Sequence, residues 1–146
     1  MRFDDDLRVE DQPRPEDVAL LADRLHQYNA AATGCNDGRW LAIFVRDDAG
    51  GIVGGLHGWT WGRTGFVGTL WVREDLRRQG LGARLLAAAE REAARRGCRE
   101  MQLDTNSYQA PGFYRRLGYA EIGQLPGWPR SSDTRVFFRK PLDSPG

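Results

Sequence analysis

The hydrophobic pattern of the chain changes period once, across residues 73–80, and that change constrains the fold more than any other feature. Before it lie three apolar runs, 41–45, 52–61 and 66–72. They are separated by the turn segments Asp47-Asp48-Ala49-Gly50-Gly51 and Gly62-Arg63-Thr64-Gly65. Short runs joined by tight turns pair with their sequence neighbours in the opposite direction, which predicts an antiparallel meander. After it, Leu81, Leu85, Leu86, Ala89, Ala93 and Ala94 recur at helical spacing until Gly97. That is one apolar helix face closed by a glycine stop. A short strand is predicted at 100–104, and the helix between it and the run at 66–72 makes parallel crossover pairing natural.

The flanking segments complete an α/β fold with a mixed sheet. Leu20, Leu21, Leu25 and Tyr28 mark a helix over 16–32, with Pro15 at its start and Gly34 at its end. Pro111 and Gly118 bracket a short helix over 111–117. Closing strands are predicted at 119–125 and 134–139, with a loop at 126–133 that carries Trp128. The segment Val136-Phe137-Phe138 reads as an exposed edge strand that pairs across a homodimer. No repeat, linker or low-complexity tract interrupts the chain, so residues 1–146 are expected to form a single domain.

Charge and composition exclude several classes. Twenty-one Lys and Arg face 20 Asp and Glu, for a net charge of +1, which argues against a nucleic-acid partner. No stretch of about 18 apolar residues occurs, so no membrane partner is expected. The N-terminus lacks the apolar core of a leader, and a cytoplasmic location follows as the default. Cys35 and Cys98 are too few for a disulfide scaffold and form no C-x-x-C pair; they read as buried, reduced thiols, with no metal site. The neutral total hides an acidic segment at 1–23, which includes Asp4, Asp5 and Asp6, and an arginine-rich one at 73–99. Arg84, Arg91, Arg95 and Arg96 read as a solvated helix face.

The segment from Leu70 to Ala83 is the most informative. A strand ending Leu70-Trp71-Val72 passes through Arg77-Arg78-Gln79 into Gly80-Leu81-Gly82-Ala83, which opens the long helix. A helix N-terminus exposes unpaired N–H groups and partial positive charge, and glycines let an anion approach them. Arginines add bidentate phosphate contacts. This is built as an anion site, most suited to a pyrophosphate. It is neither a Walker A loop nor a Rossmann fingerprint: no Lys-[Ser/Thr] follows, and Leu85 stands where the third glycine belongs. Most of the 18 glycines punctuate turns and helix ends; Gly80 and Gly82 are the two that a ligand best explains.

A second motif lies downstream, in the residues from Asp104 to Tyr119, with Ala110, Phe113-Tyr114 and Gly118-Tyr119 at its heart. Together with Arg77-x-x-Gly80-x-Gly82, it resembles the acetyl-CoA motifs of the Gcn5-related N-acetyltransferases (GNAT), and more narrowly a bacterial subfamily of small acetyltransferases. The resemblance implies acetyl-CoA as cosubstrate, bound in a V opened between the parallel strands. It implies main-chain bonds from Leu70, Trp71 and Val72, a pyrophosphate held over Arg77, Arg78, Gln79, Gly80, Leu81, Gly82 and Ala83, and Phe113 beside the cofactor. It implies Tyr114 as the general acid that protonates the departing thiolate. Ser107 stands where the family often has a pantetheine-binding Asn, with Asn106 one place earlier.

The acceptor is expected to be a primary amine of a small molecule or a peptide, attacked directly in a ternary complex. Asn29, Trp59 and Trp61 are candidate substrate residues, with Trp40 and Trp128 nearby in sequence; an aromatic lining suits a flat or cationic acceptor. The strand 66–72 holds no acid, so the general base stays open among His57, Asp104, the Glu74-Asp75 pair and water. A non-catalytic acyl-CoA-binding module is the competing class.

Overall fold

The computed structural model of the protein describes residues 7–143. Asp4, Asp5, Asp6 and the residues read for a leader lie outside the described residues. The chain divides into two compact units that meet at Asn36 and Asp37.

The first unit contains helix α1 (Pro15–Thr33). Proline occupies its first turn, and Glu16 and Asp17 place negative charge at the positive end of the helix dipole. It ends where predicted: Gly34 adopts a left-handed φ of 74° and donates its N–H to Ala30 O at 2.8 Å.

The second unit contains β1 (Arg39–Arg46), β2 (Ile52–Trp61), β3 (Thr64–Val72), a 3₁₀ turn (Glu74–Leu76), and α2 (Leu81–Arg95). It continues with β4 (Glu100–Asn106), α3 (Pro111–Arg116), β5 (Ala120–Pro126) and β6 (Thr134–Pro141). The sheet order is β1-β2-β3-β4-β6-β5. The meander over β1, β2 and β3 and the parallel β3–β4 pair form as the sequence predicts.

The final strand does not lie at an edge. β6, which holds Val136, Phe137 and Phe138, inserts between β4 and β5 and pairs antiparallel with both. Its ladder groups are used on either side, so the predicted edge-to-edge dimer through 136–138 is not available to it. The sheet edges are β1 and β5.

The core explains why these elements assemble. Leu85, Leu86, Ala89 and Ala93 of α2 are buried, as are Leu41, Leu56, Val67, Met101 and Leu103 on the sheet, with Tyr114, Tyr119, Val136 and Phe138 completing the cluster. Each buried leucine or phenylalanine contributes about 1.5–3 kcal/mol. The small Ala89 and Ala93 let the helix approach the strands.

Two sequence readings change here. Arg96 is not part of a solvated face. Its Nη1 donates to Trp40 O (2.9 Å) and Thr60 Oγ1 (3.0 Å), and its Nε to Glu92 (3.0 Å), so it ties the end of α2 to β1 and β2. Cys98 is buried as expected, but Cys35 is exposed.

Candidate active site

The parallel ladder between β3 and β4 is short. Thr64, Gly65, Phe66 and Val67 pair with Glu100, Met101, Gln102 and Leu103, and the pairing stops there. β3 runs on to Val72 and β4 to Asn106 with a gap between them. The cause lies on the far side of β3. Opposite β2, the register jumps from His57–Thr69 to Gly58–Val67, leaving Gly68 as an extra residue. Such a bulge bends its strand, and it falls one residue after the last β3–β4 pair. Gly58 permits the pinch: a Cβ there would stand 1.8 Å from Phe66 O.

The gap exposes specific main-chain groups. Arg73 N donates to Val53 O at 2.9 Å, so Arg73 faces β2. Alternation along a strand then turns the N–H and C=O of Val72 and Leu70 toward the gap, and those of Trp71 toward β2. Leu70 packs against the core cluster, and the Trp71 ring stands on the opposite face, 46% exposed.

The loop from Arg73 to Gly80 is tied to itself. Arg73 forms a bidentate pair with Asp75 (2.6 and 2.9 Å), and this hydrogen-bonded partner holds the Asp75 carboxyl below its usual range. Arg77 turns back, its Nε donating to Val72 O at 2.8 Å. Arg78 has a φ of 63°, which is costly for a residue with a Cβ, and Gly80 a φ of 80°. Left-handed residues two positions apart curl the main chain ahead of α2. The N–H groups of Leu81, Gly82 and Ala83 precede the first helical bond, from Arg84 N to Gly80 O (3.0 Å), and no side chain caps them. No atom lies within 4 Å of where a Gly80 Cβ would stand. Gly82 has a different neighbour from the one expected: a Cβ there would lie 3.4 Å from the Phe113 ring, so this position sets how closely α3 approaches α2.

Tyr114 is 91% buried within the core cluster, edge-on to Phe113 and Tyr119, and tilted against Phe138. Its hydroxyl makes no hydrogen bond among the described residues. Burial first, and then the negative charge of Asp104, push its phenol above the ordinary tyrosine range. The group therefore keeps its proton at neutral pH.

Ser107 is committed elsewhere. Its Oγ accepts from Thr134 N (2.9 Å) and its N–H donates to Thr134 O (2.8 Å), so it pins the start of β6. Gln109 closes the turn after β4, its Oε1 accepting from Asn106 N (2.7 Å) and Thr105 Oγ1 (3.0 Å). Sequence reasoning assigned no role to Gln109, Tyr108 or Asn106, although all three lie in the second motif and Asn106 was noted beside Ser107.

The candidate substrate residues separate. Trp59 stacks on Phe66 (4.6 Å), with Trp40 edge-on to it and 5.1 Å from the His57 ring. This cluster lies on the sheet face opposite α2. Trp61 pairs with Thr64, three positions to the closed side of Val67. Asn29 belongs to α1, near its C-terminal end. Among the base candidates, Asp104 is held bidentately by Arg135 (3.0 and 3.0 Å) and Asp75 by Arg73, whereas His57 is exposed beside Thr69.

A parted parallel pair beside a helix-opening anion loop fits an extended ligand with a phosphate at one end and amides along its length. Comparison with known proteins agrees. The model of the acetyltransferase (GNAT) family matches residues 5–119. The chain belongs to the GNAT acetyltransferase family. It is 41% identical over 105 residues to an acetyltransferase of Agrobacterium fabrum, covering 72% of this chain and 77% of that one. It is 44% identical over 93 residues to the blasticidin-S acetyltransferase of Streptomyces morookaense, covering 63% and 65%. A crystal structure described as an acetyltransferase of Agrobacterium tumefaciens superposes with a TM-score of 0.82 at 34% identity, covering 94% and 99%. This GNAT protein is an acyltransferase that uses acetyl-CoA. No helix among the described residues is long and apolar enough to cross a membrane.

Proposed function

We propose that this enzyme transfers the acetyl group of acetyl-CoA to a primary amine of a small molecule by direct attack in a ternary complex, with residues 1–146 acting as one catalytic domain. The parted ends of β3 and β4 carry this reading. Bound acetyl-CoA supplies the acetyl group as a thioester. Leu70 and Val72 offer main-chain groups along the gap, and an N–H there suits a carbonyl oxygen that gains negative charge. The N–H groups at 81–83, with the Arg78 guanidinium, suit the pyrophosphate.

Tyr114 supplies the proton. The amine nitrogen attacks the acetyl carbon, the carbon–sulfur bond breaks, the amine loses a proton to solvent or a base, and Tyr114 protonates the thiolate. Burial and the nearby charge of Asp104 keep that proton in place until it is needed. An acetyl group carried on Cys98 is disfavoured, because that residue is buried and its thiol is pushed up by burial.

The aromatic face around Trp40, His57, Trp59 and Phe66 supports this acceptor class, as does the similarity to a blasticidin-S acetyltransferase. The test is a thiol-release assay with acetyl-CoA against blasticidin S, L-methionine sulfone, tryptamine, an aminoglycoside and a short peptide. Turnover of at least one amine is expected, with kcat about 10²-fold lower in Tyr114→Phe. Tight acetyl-CoA binding without turnover of any amine overturns the proposal.

A further inference from the structure

Asn106 is the last residue of β4, at the open end of the gap, and it is 91% buried. Its main-chain N–H is held by Gln109 and its Nδ2 donates to Tyr108 Oη at 3.2 Å. Its Oδ1 is buried and has no hydrogen-bond partner, the one such side-chain atom among the described residues. Folds rarely leave a buried acceptor unpaired, and where they do the site is often functional.

The charged groups nearest it are engaged with one another. Asn106 pairs directly with Arg135 across β4 and β6. Arg135 gives Nε and Nη2 to Asp104 and stacks over Trp128 (5.3 Å) and Phe137 (4.9 Å). Arg130, in the same loop as Trp128, is bidentate to the buried Asp133. No described residue donates to Oδ1, which leaves it open to a donor from outside the chain.

The side from which it comes follows from strand alternation. Met101, Leu103 and Thr105 are buried on the helix side of β4, so Asp104 and Asn106 point to the other face. Trp59 and Phe66 stand on that same face, because Phe66 pairs with Gln102 and Val67 with Leu103. The anion loop and Tyr114 belong to the helices. Asn106 thus faces a molecule that approaches from the sheet face opposite α2.

We infer that Asn106 Oδ1 accepts an N–H from the acceptor amine and orients its nitrogen toward the gap. This rests on the amine-acetylation reading above. Presenting the oxygen takes a rotation of the terminal amide torsion, which is soft for Asn, and the release of one neutral hydrogen bond to the exposed Tyr108.

The test uses the panel amine that the wild-type enzyme turns over fastest. In Asn106→Leu, of similar volume but without the acceptor, KM for that amine is expected to rise about tenfold, the equivalent of one hydrogen bond. The acetyl-CoA Kd by calorimetry and Tm should be unchanged. Asn106→Asp, which keeps an oxygen at the site, should retain most of the amine affinity. Asn106→Ser makes the same comparison if the leucine variant does not fold. Unchanged amine KM in a folded variant overturns the inference. So does a rise in acetyl-CoA Kd alone, which would assign the oxygen to the pantetheine amides. Absence of wild-type turnover with every amine overturns the underlying reading, and this inference with it.

Discussion

Arg77 Nε donates to the carbonyl oxygen of Val72 at 2.8 Å, joining the anion loop to the last residue of β3. Val72 is also one of the β3 residues whose main chain faces the gap. The arginine that marks the family motif therefore acts here as a clasp that sets where the loop begins relative to the strand. Arg77→Ala is expected to raise the acetyl-CoA Kd about tenfold, on the scale of one hydrogen bond to a charged group. Because the pair is exposed, Tm should change little. Arg77→Lys keeps the charge but loses the planar donor and should not restore binding. Calorimetry on the three proteins checks both points.

Arg78 separates binding from stability. Its φ of 63° costs about 1 kcal/mol relative to a glycine in the same conformation. Its guanidinium makes no hydrogen bond or ion pair among the described residues that would offset that cost. Arg78→Gly should therefore leave Tm within a few degrees of wild type, since relief of strain opposes the greater freedom of the unfolded chain. The acetyl-CoA Kd should rise and become less dependent on salt as one phosphate contact is lost. Thermal melts and titrations at two ionic strengths measure the two effects independently.

The bulge makes an asymmetric prediction about two glycines. A methyl at Gly58 would lie 1.8 Å from Phe66 O, a main-chain atom that cannot move without unpicking the β2–β3 ladder. Gly58→Ala should destabilise the protein by more than about 3 kcal/mol, or prevent folding. At Gly68, the extra residue itself, a Cβ would meet its nearest atoms at 3.5 and 3.7 Å, an ordinary contact. Gly68→Ala should fold with a Tm close to wild type.

The contrast shows what was legible in the sequence. Periodicity located the helices and strands to within a few residues; α2 and the central strands bury the face their spacing marks, whereas Leu20, Leu21, Leu25 and Tyr28 of α1 are exposed. The parallel β3–β4 pair was also legible, since a helix separates the two strands. The insertion of β6 between β4 and β5 was not: an apolar run such as Val136-Phe137-Phe138 looks the same at an edge and inside a sheet, and the choice depends on ladder partners distant in sequence. The glycines and charge on which the proposed anion site rests were legible in the Arg-rich loop. The bulge at Gly68 and the clasp at Arg77 depend on pairing register, which composition does not encode. Asn106 was visible only as the neighbour of Ser107; its unpaired oxygen depends on contacts with Tyr108 and Gln109 that the fold sets.

Arg96 is expected to matter for stability more than its place in an arginine-rich helix suggests. It satisfies Trp40 O and Thr60 Oγ1 while paired with Glu92, and its side chain is 14% exposed. Arg96→Ala leaves the buried Thr60 and the Glu92 carboxylate with fewer partners. A loss of about 1.5–3 kcal/mol follows for hydrogen bonds to a charged group. Arg95→Ala is the control. Its side chain is 73% exposed, and exposed ion pairs contribute about 0–1 kcal/mol. Urea melts of the two variants should differ by more than 1 kcal/mol.

The last prediction concerns pH. Burial and the Asp104 charge raise the Tyr114 phenol above the ordinary value of about 10. The donor is therefore intact throughout the neutral range and is lost only as pH climbs past that raised value. If Tyr114 protonates the thiolate, the kcat profile should rise on its acid side as the amine loses its proton, then stay flat beyond pH 10 where an ordinary tyrosine would already have ionised. Tyr114→Phe should lower the plateau without moving the acid limb. Stability follows the same proton with a definite sign. Above about pH 10 the unfolded chain releases the Tyr114 proton while the folded protein retains it, so folding stability falls as pH rises. Tyr119, raised chiefly by burial and by the Glu90 charge, acts in the same direction. Tm measured between pH 8 and 11 should therefore decline above 10 in the wild type and decline less in Tyr114→Phe. Equal slopes in the two proteins would show that the Tyr114 phenol is not held in its neutral form by the fold.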